Sequence, residues 1–365
     1  MKPRAMLVQA SGATMQRFPS ASRNRNEMSA IEDIDAARHA AAEFKQVFNA
    51  IATEVGRMIV GQREVVDGVL TALLAGGHVL LEGVPGLGKT MLVSSISQAV
   101  DLPFSRIQFT PDMMPADIVG TSVLADRADG GHELTFQEGP VVANLVLADE
   151  INRATPKTQS ALLEVMQEKQ ITVGRRTIRM PEPFCVMATQ NPVDQEGTYP
   201  LPEAQLDRFL FKLVVGYPSE QDYHAIIDRT TGGEPVALSA VTDAATLRRL
   251  RTVARQVPVP EAAKTYAIRL VMGTQPGSPY APAAVNASVA LGASPRAIQG
   301  LMLAAKVRAL LDDRFAVSIE DIQASTLPVL RHRIVTNFHA QANGIDADAL
   351  VGEVLAAVKR PHAAD

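Results

Sequence analysis

Two stretches of the sequence carry residue types that could bind phosphate and a metal ion. The first, residues 83–90 (GVPGLGKT), fits the phosphate-loop pattern and lies between an apolar strand-like run and a helical one. Its glycines let backbone N–H groups point at phosphate oxygens, Lys89 supplies positive charge to the β- and γ-phosphates, and Thr90 offers a hydroxyl to Mg²⁺. The predicted phosphate-binding residues are Gly83, Pro85, Gly86, Leu87, Gly88, Lys89 and Thr90.

The second stretch, residues 145–150 (LVLADE), is a hydrophobic strand that ends in two carboxylates. Asp149 would lie beside the metal ion, usually through water, and Glu150 would polarise a water aimed at the γ-phosphate. Acidic residues at a strand end could instead cap the following helix. Because they occur together with the phosphate loop, we favour Asp149 as the metal-side residue and Glu150 as the general base.

Three further polar residues follow predicted strands or open a helix. Asn191 ends the next apolar strand and could hold the attacking water, although an Asn-Pro turn is the simpler alternative. Arg208 precedes the last strand of the series, where it could reach a neighbour's phosphates in a ring or form a surface ion pair with Asp207. Arg296 follows a Ser294 N-cap and would project toward the nucleotide, unless it is a solvated helix-surface arginine.

The elements that must position these residues alternate between strands and helices. Continuous apolar strands separated by helices predict an α/β fold with a parallel sheet covered on both faces. Two segments, residues 123–136 turning at Gly130-Gly131 and residues 171–180 turning near Gly174, predict inserted β-hairpins. The predicted strands are 78–82, 104–109, 145–148, 184–188 and 209–215, and the predicted helices of this part are 36–58, 90–100 and 156–169.

Beyond residue 217 the strand pattern disappears, which predicts a second, helical domain. We expect a disordered tail over residues 1–35, a linker helix and α/β core over residues 36–217, and an all-α lid over residues 218–365. Residues 1–27 carry five cationic residues against one acidic residue, yet they lack the apolar run of a secretory signal. The predicted helices of the lid are 219–230, 243–256, 261–272, 294–312, 318–333 and 346–359.

The composition excludes several other classes of protein. The 365 residues are 47% hydrophobic and 20% charged, as expected for a globular chain, and no apolar run approaches the roughly 18 residues that cross a bilayer. A net charge of −4 and 4% aromatic residues do not favour nucleic-acid binding. The single Cys185 rules out a disulfide framework within the chain and fits a reducing compartment, so we expect the cytoplasm. His332 and His339 lack the companions of a metal site.

Together these motifs resemble those of the MoxR family of AAA+ ATPases. The resemblance covers about residues 40–360 and does not include the first 35 or so residues. Besides the phosphate loop, the matching segments are residues 138–140, 145–154, 161–168, 188–192 and 201–209.

The resemblance implies an AAA+ core with a five-stranded sheet and inserted hairpins, followed by a helical lid, with ATP and Mg²⁺ as cofactors. It also implies a homo-oligomeric ring, usually a hexamer, that hydrolyses ATP between subunits. Members of the family are thought to assemble or activate protein complexes, often with a von Willebrand factor A domain partner. By the same resemblance Gly61 and Gln62 belong near the adenine, Asn191 is sensor 1, Arg208 the arginine finger and Arg296 sensor 2.

Three alternatives remain open from the sequence. A nucleic-acid motor would use Arg175, Arg176 and Arg179 of the second hairpin, but the acidic balance favours solvated turn charges. An ATP-gated scaffold without useful hydrolysis would not need Glu150. A subunit of a metal chelatase is a related ATPase class, and only its partner subunits would distinguish it.

Overall fold

The computed structural model describes residues 34–126, 132–174, 176–191, 198–232 and 236–361. Four predictions concern residues outside these ranges: most of the tail, the Gly130-Gly131 turn, Arg175 of the second hairpin and Pro192 of the Asn-Pro turn. The part of the chain that is described folds into an α/β core and a helical lid.

Helices and strands alternate through the first part of the chain, and helices dominate the second. The helices are α1 (Ile34–Gly56), α2 (Arg63–Ala75), α3 (Lys89–Ala99), α4 (Pro115–Val119), α5 (Pro156–Glu168), α6 (Glu203–Leu206), α7 (Glu220–Thr231), α8 (Ala244–Gln256), α9 (Glu261–Gly273), α10 (Ala283–Ser288), α11 (Pro295–Leu311), α12 (Ile319–Leu330), α13 (Phe338–Ala342) and α14 (Ala347–Ala357). The strands are β1 (Val79–Glu82), β2 (Phe104–Gln108), β3 (Gly120–Asp126), β4 (His132–Glu138), β5 (Leu145–Asp149), β6 (Gln170–Val173), β7 (Arg176–Arg179), β8 (Cys185–Gln190), β9 (Phe211–Val214), β10 (Val289–Leu291) and β11 (Val335–Thr336).

Five strands form one parallel sheet in the order β2-β5-β8-β1-β9, which confirms the predicted fold class. Successive side chains of a strand point to opposite faces, so each strand serves two hydrophobic clusters. Val79 and Leu81 pack into a cluster with α1, α2, α3 and the lid helices, whereas Leu80 packs into a second cluster with α5. The sheet is therefore buried on both faces, and polar residues are found at the carboxyl ends of its strands.

Both predicted hairpins are present, and they lie outside the sheet. Strands β3 and β4 pair antiparallel from Gly120 with Glu138 to Asp126 with His132, between α4 and β5. Strands β6 and β7 pair between α5 and β8. The first hairpin exposes two leucines, Leu124 at 65% and Leu134 at 70%, so its strands pair without a core of their own.

The lid is helical, as predicted, but it also contains two short helices, α10 and α13, and a strand pair that the sequence did not predict. Strands β10 and β11 form a short antiparallel pair, too short to show a period in the sequence. Helix α12 also ends at Leu330, whereas the sequence predicted a helix to residue 333. Because the helix ends earlier, the turn that follows it directs His332 and Arg333 into the interface with the core, where both are buried.

Two smaller expectations can be compared with the structure. Cys185 is fully buried in the sheet, and burial raises the pKa of its thiol to about 12, so it is a core side chain rather than a nucleophile. No helix within the described ranges combines the length and the apolar character needed to cross a bilayer.

Candidate functional site

The phosphate loop, residues 83–90, connects β1 directly to α3. Gly86 and Gly88 have φ angles of 83° and 76°, in the left-handed region that favours glycine. Gly83 meets a different demand, because a Cβ there would lie 2.6 Å from the carbonyl oxygen of Val215. The loop thus brings its backbone to the N-terminus of α3, where helix geometry leaves N–H groups free for an anion.

Lys89 is the first residue of α3, and its side chain curls back over the loop. Its Nζ donates to the carbonyl oxygens of Gly83 at 2.6 Å and Val84 at 2.9 Å. Burial lowers the pKa of Lys89, while Asp149 and Glu150 act in the opposite direction. The ammonium is therefore held at the loop by partners that a phosphate could replace.

Asp149 ends β5 and is only 8% exposed. Its Oδ1 accepts a hydrogen bond from the Thr189 hydroxyl at 2.7 Å. Its Oδ2 accepts from Arg106 of the neighbouring strand β2, through Nη2 at 2.6 Å and Nε at 3.1 Å. Both oxygens are thus oriented by side chains from the two strands that flank β5.

Glu150 follows β5 with a φ of 55°, a conformation that is costly for a residue other than glycine. Its backbone N–H donates to the same Thr189 hydroxyl at 2.8 Å. Its carboxylate Oε2 accepts from Gln108 at 2.9 Å and from Arg153 at 3.0 Å. The strained backbone and these contacts hold the carboxylate at the sheet edge, one residue beyond Asp149.

These side chains enclose a cavity of about 430 Å³ at the carboxyl edge of the sheet. Residues 85–88 of the loop line it, together with Arg106, Gln108 and Thr189. The structure also brings five of the predicted side chains to this cavity, namely Lys89, Thr90, Asp149, Glu150 and Asn191. A larger cavity of about 580 Å³ lies between α2, β9, α11 and α12, away from the phosphate loop.

Gly61 and Gln62 adjoin the loop without lining the 430 Å³ cavity. The Gln62 side-chain amide donates to the Leu87 carbonyl at 3.1 Å and so stabilises the loop from outside that cavity. Gly61 has a φ of 71°, and a Cβ there would lie 2.3 Å from the Asp222 carboxyl carbon. The two residues therefore lie between the loop and α7.

Arg208 and Arg296 do not line that cavity either. Arg296 Nη1 lies 3.6 Å from Asp207 Oδ2, so the predicted sensor contacts a carboxylate of its own chain. Arg208 follows Asp207 in the segment between α6 and β9, and its Nε is buried without a hydrogen-bond partner. Asp207 thus pairs with Arg333 at 2.8 Å and with Arg296 at 3.6 Å, whereas the sequence allowed an ion pair with Arg208.

Sequence reasoning missed several residues that shape the site. Arg106 and Gln108 carried a usable signal, since polar residues toward the carboxyl end of a parallel strand lie beside the carboxylates of the neighbouring strand. Thr189 lies within a matching motif, but the sequence alone does not indicate its bonds to Asp149 and Glu150. His332 and Arg333, which contact residues 207–210 rather than the cavity, gave no signal, because their position depends on where α12 ends.

The donor set fits a magnesium ion. Mg²⁺ prefers oxygen ligands and usually keeps several waters. Asp149 and Thr90 offer a carboxylate and a hydroxyl on the same cavity, and Asp149 Oδ1, with a single hydrogen bond from Thr189, retains a free lone pair. Oδ2 is occupied by Arg106, so Oδ1 is the oxygen that suits a metal ion or its water.

Two family models match the chain. Residues 78–211 match the ATPase family associated with various cellular activities (AAA), and residues 281–354 match the AAA lid domain. The first match covers the parallel sheet from just before β1 to the start of β9, together with the phosphate loop. The second covers the lid from α10 to most of α14.

Relatives and a solved structure match most of the chain. It is 47% identical over 322 residues to "Chaperone MoxR1" of Mycobacterium tuberculosis, covering 88% of this chain and 84% of that protein. It is 31% identical to "Protein MoxR" of Methylorubrum extorquens, with 81% of this chain and 88% of that protein covered. The crystal structure of a Cytophaga hutchinsonii protein described as a "putative ATPase" superposes with a TM-score of 0.84 at 38% identity, over 90% of this chain and 99% of that one.

Proposed function

The chain belongs to the MoxR family of AAA+ ATPases, and from this premise we propose that it hydrolyses ATP in a six-membered ring of identical subunits to assemble or activate other protein complexes. The observation that carries the proposal is that Lys89 and Glu150 line the same cavity, at the carboxyl ends of the sheet strands. A phosphate-binding cation and a buttressed carboxylate at one cavity are what hydrolysis of a phosphate anhydride requires.

The residues of the chain divide the work between binding and proton transfer. The loop N–H groups and Lys89 bind the β- and γ-phosphates, and Thr90 and Asp149 would hold Mg²⁺, which neutralises phosphate charge when bound. Glu150 accepts a proton from the water whose oxygen bonds to the γ-phosphorus, while the bond from that phosphorus to the bridging oxygen breaks and ADP leaves. Thr189 fixes the backbone of Glu150 and the carboxylate of Asp149 with one hydroxyl.

Three residues complete the proposed site. Asn191 lines the cavity beside Glu150 and is assigned to orient the attacking water. Arg208 is assigned to the neighbouring subunit's nucleotide as an arginine finger, and Arg296 is assigned to the nucleotide of its own subunit. Gly61 and Gln62 are assigned to the adenine side, which their position between the loop and α7 supports.

The partners and the compartment are also part of the proposal. We assign a von Willebrand factor A domain protein as the partner, because the family relationship implies one. A single cysteine, Cys185, that is buried in the sheet supports a reducing compartment, the cytoplasm.

The first test is the turnover of ATP by Glu150→Gln. We expect a loss of about 10²- to 10⁴-fold in the rate of phosphate release, with ATP binding retained, because the amide cannot take the proton. Glu164→Gln, a change of the same kind at an exposed position of α5, is the matched control and should turn over ATP as the unaltered protein does. Equal rates for Glu150→Gln and Glu164→Gln would contradict the proposal.

The second test asks whether the site is shared between subunits. Glu150→Gln subunits retain a finger but cannot hydrolyse, and Arg208→Ala subunits retain the base but lack a finger. Mixing the two inactive variants should restore turnover, because Arg208 of one completes the site of the other. If the mixture stays as inactive as its components, Arg208 does not act on a neighbour.

A further inference from the structure

The two hairpins that lie outside the sheet carry opposite charge. The first hairpin, residues 120–138, contains four acidic residues and one arginine, a net charge of −3. The second hairpin, residues 170–179, contains three arginines and no acidic residue, a net charge of +3. The whole chain has a net charge of only −4, so the hairpins are two concentrated charges of opposite sign.

The first hairpin is poorly covered by its own subunit. Leu124 of β3 and Leu134 of β4 lie opposite each other, and both are exposed. The side chains of β4 are exposed except for that of Phe136, so Glu133 and Glu138 are both open to solvent. A two-stranded hairpin is marginally stable by itself, and exposed apolar residues bordered by charges mark an interaction site. The first hairpin therefore has the character of a contact surface.

The second hairpin is fixed to its own subunit and exposes its arginines. Ile171 and Ile178 lie opposite each other and pack against the hydrophobic cluster that contains α5. Arg176 and Arg179 of β7 are exposed, and within the described ranges neither side chain forms an ion pair. The two guanidinium groups are therefore free to bind carboxylates of another chain.

The hairpins of one subunit meet mainly through β3 and β6. The two exposed glutamates lie on β4 and the two exposed arginines on β7, so the strands that meet are not the ones that carry these charges. In a ring each subunit presents different surfaces to its two neighbours. The first hairpin of one subunit can thus meet the second hairpin of the next.

We propose that the first hairpin of one subunit docks on the second hairpin of the next subunit, with the glutamates of β4 facing the arginines of β7. The inference rests on the proposed function, because a ring of identical subunits is what places these hairpins of two chains side by side. The occupant of the exposed hairpin is then a second copy of this chain, selected by charge. Each exposed ion pair contributes little affinity, but a set of them fixes orientation and disfavours the pairing of like charges.

The test reverses the charges of one hairpin at a time. The first variant carries Glu133→Arg with Glu138→Arg, and the second carries Arg176→Glu with Arg179→Glu. All chains, including the parent, carry Glu150→Gln so that ATP persists, and ring assembly with ATP and Mg²⁺ is followed by sedimentation velocity over a range of protein concentrations. Each variant alone places like charges together at every interface, so the concentration for half-assembly should rise by at least about tenfold.

Mixing the two variants distinguishes pairing across subunits from pairing within one subunit. In an alternating ring the two reversed hairpins meet at one interface and the two unaltered hairpins meet at the next, so every interface again joins opposite charges. An equimolar mixture should therefore assemble as the parent does. A mixture as weak as its components, with recovery only when all four substitutions are in one chain, would place the pairing within a subunit and overturn the proposal.

Two further chains control for charge and for folding. Glu261→Arg with Glu353→Arg, at exposed positions of α9 and α14, adds the same positive charge elsewhere and should assemble as the parent does. A chain in which the four hairpin residues become glutamine serves if a reversed hairpin does not fold. Its assembly should be weaker than that of the parent at about 50 mM salt and equal to it at about 500 mM, because salt screens exposed charges. Equal assembly at both salt concentrations would overturn the proposal.

The remaining outcomes separate this inference from the proposed function. A parent chain that stays monomeric with ATP would contradict the proposed ring, and with it this inference. A parent ring that tolerates both charge reversals would overturn the inference alone. Loss of binding to a single-stranded DNA oligonucleotide in the arginine variant, with assembly unchanged, would assign the arginines to nucleic acid instead.

Discussion

Asp149 and Asp207 each pair with an arginine, but the two pairs are built differently. Arg106, beside Asp149, is 47% exposed and bonds only side chains, those of Asp149 and Gln108. Arg333, beside Asp207, is 4% exposed and also bonds backbone carbonyl groups of two segments, residues 207–210 and α12. We call the first region the phosphate edge (Lys89, Arg106, Asp149 and Glu150) and the second the lid junction (Asp207, Ser294, Arg296, His332 and Arg333).

Groups at the phosphate edge can exchange their partners, whereas groups at the lid junction hold a fixed geometry. At the phosphate edge Lys89, Asp149 and Glu150 hold partners that water, phosphate or a metal ion can replace. At the lid junction several backbone carbonyl groups would each lose the hydrogen bond that Arg333 donates if its side chain left. Substitutions at the phosphate edge should therefore change binding and turnover, whereas those at the lid junction should first change stability.

The largest effect on stability is expected for Arg333→Met. Methionine fills a similar volume but removes a buried cation from Asp207 and donors from three carbonyl groups of residues 207–210. Breaking a buried pair from one side costs about 3 to 5 kcal/mol, so the free energy of unfolding should fall by that amount in denaturant titrations.

The matched control is Arg106→Met at the phosphate edge. Its arginine also pairs with a carboxylate but is half exposed, so the free energy of unfolding should change by less than about 1 kcal/mol. Similar losses for Arg333→Met and Arg106→Met would remove the distinction between the two regions.

Lys89→Met should weaken ATP binding strongly and change stability little, the opposite of what we expect for Arg333→Met. Hydrogen bonds to a charged group contribute about 1.5 to 3 kcal/mol, so the dissociation constant of ATP should rise by about 10- to 150-fold. The unfolding midpoint without nucleotide should move little, because Lys89 donates only to loop carbonyl groups of Gly83 and Val84. A large drop in stability together with intact ATP binding would reverse the assignment of Lys89 to the phosphate edge.

Acid should lower the stability of the fold through two buried histidines, His332 and His78. Burial lowers the pKa of His332, at the lid junction, well below 6.5, and that of His78, just before β1, to about 4. Because the unfolded chain takes up these protons first, their contribution is complete above pH 6.5 and is lost below it, by about 1.4 kcal/mol per pH unit for each histidine.

The measurement is the free energy of unfolding from pH 7 to pH 5 for the unaltered protein and for His332→Gln. Glutamine can still donate to the Phe209 carbonyl but does not titrate, so the slope for this variant should be shallower. Identical slopes would show that His332 does not contribute to the acid sensitivity.

The sequence predicted the sheet, the two hairpins, the helical lid and five of the side chains at the cavity, Lys89, Thr90, Asp149, Glu150 and Asn191, because each depends on a local pattern. The phosphate loop needs glycines at fixed spacings, and Asp149 and Glu150 must follow an apolar strand. The lid junction was not predicted, since Asp207, Ser294 and Arg333 are separated by long stretches of chain. Their meeting depends on where α12 ends and on how the lid packs, which no local period records.

Ser294→Ala has the smallest expected effect and distinguishes two roles of one hydroxyl. Ser294 Oγ accepts from the backbone N–H of Arg296 at 3.1 Å as an N-cap and donates to Asp207 at 2.8 Å. Losing the cap costs about 1 kcal/mol with alanine but only a few tenths with glycine, whereas both changes remove the bond to Asp207. If the cap dominates, Ser294→Ala should lower the free energy of unfolding by about 1 kcal/mol and Ser294→Gly by clearly less. Equal losses would show that the hydroxyl contributes mainly through its bond to Asp207. The fixed geometry that Arg333 gives the lid junction would then include the start of α11.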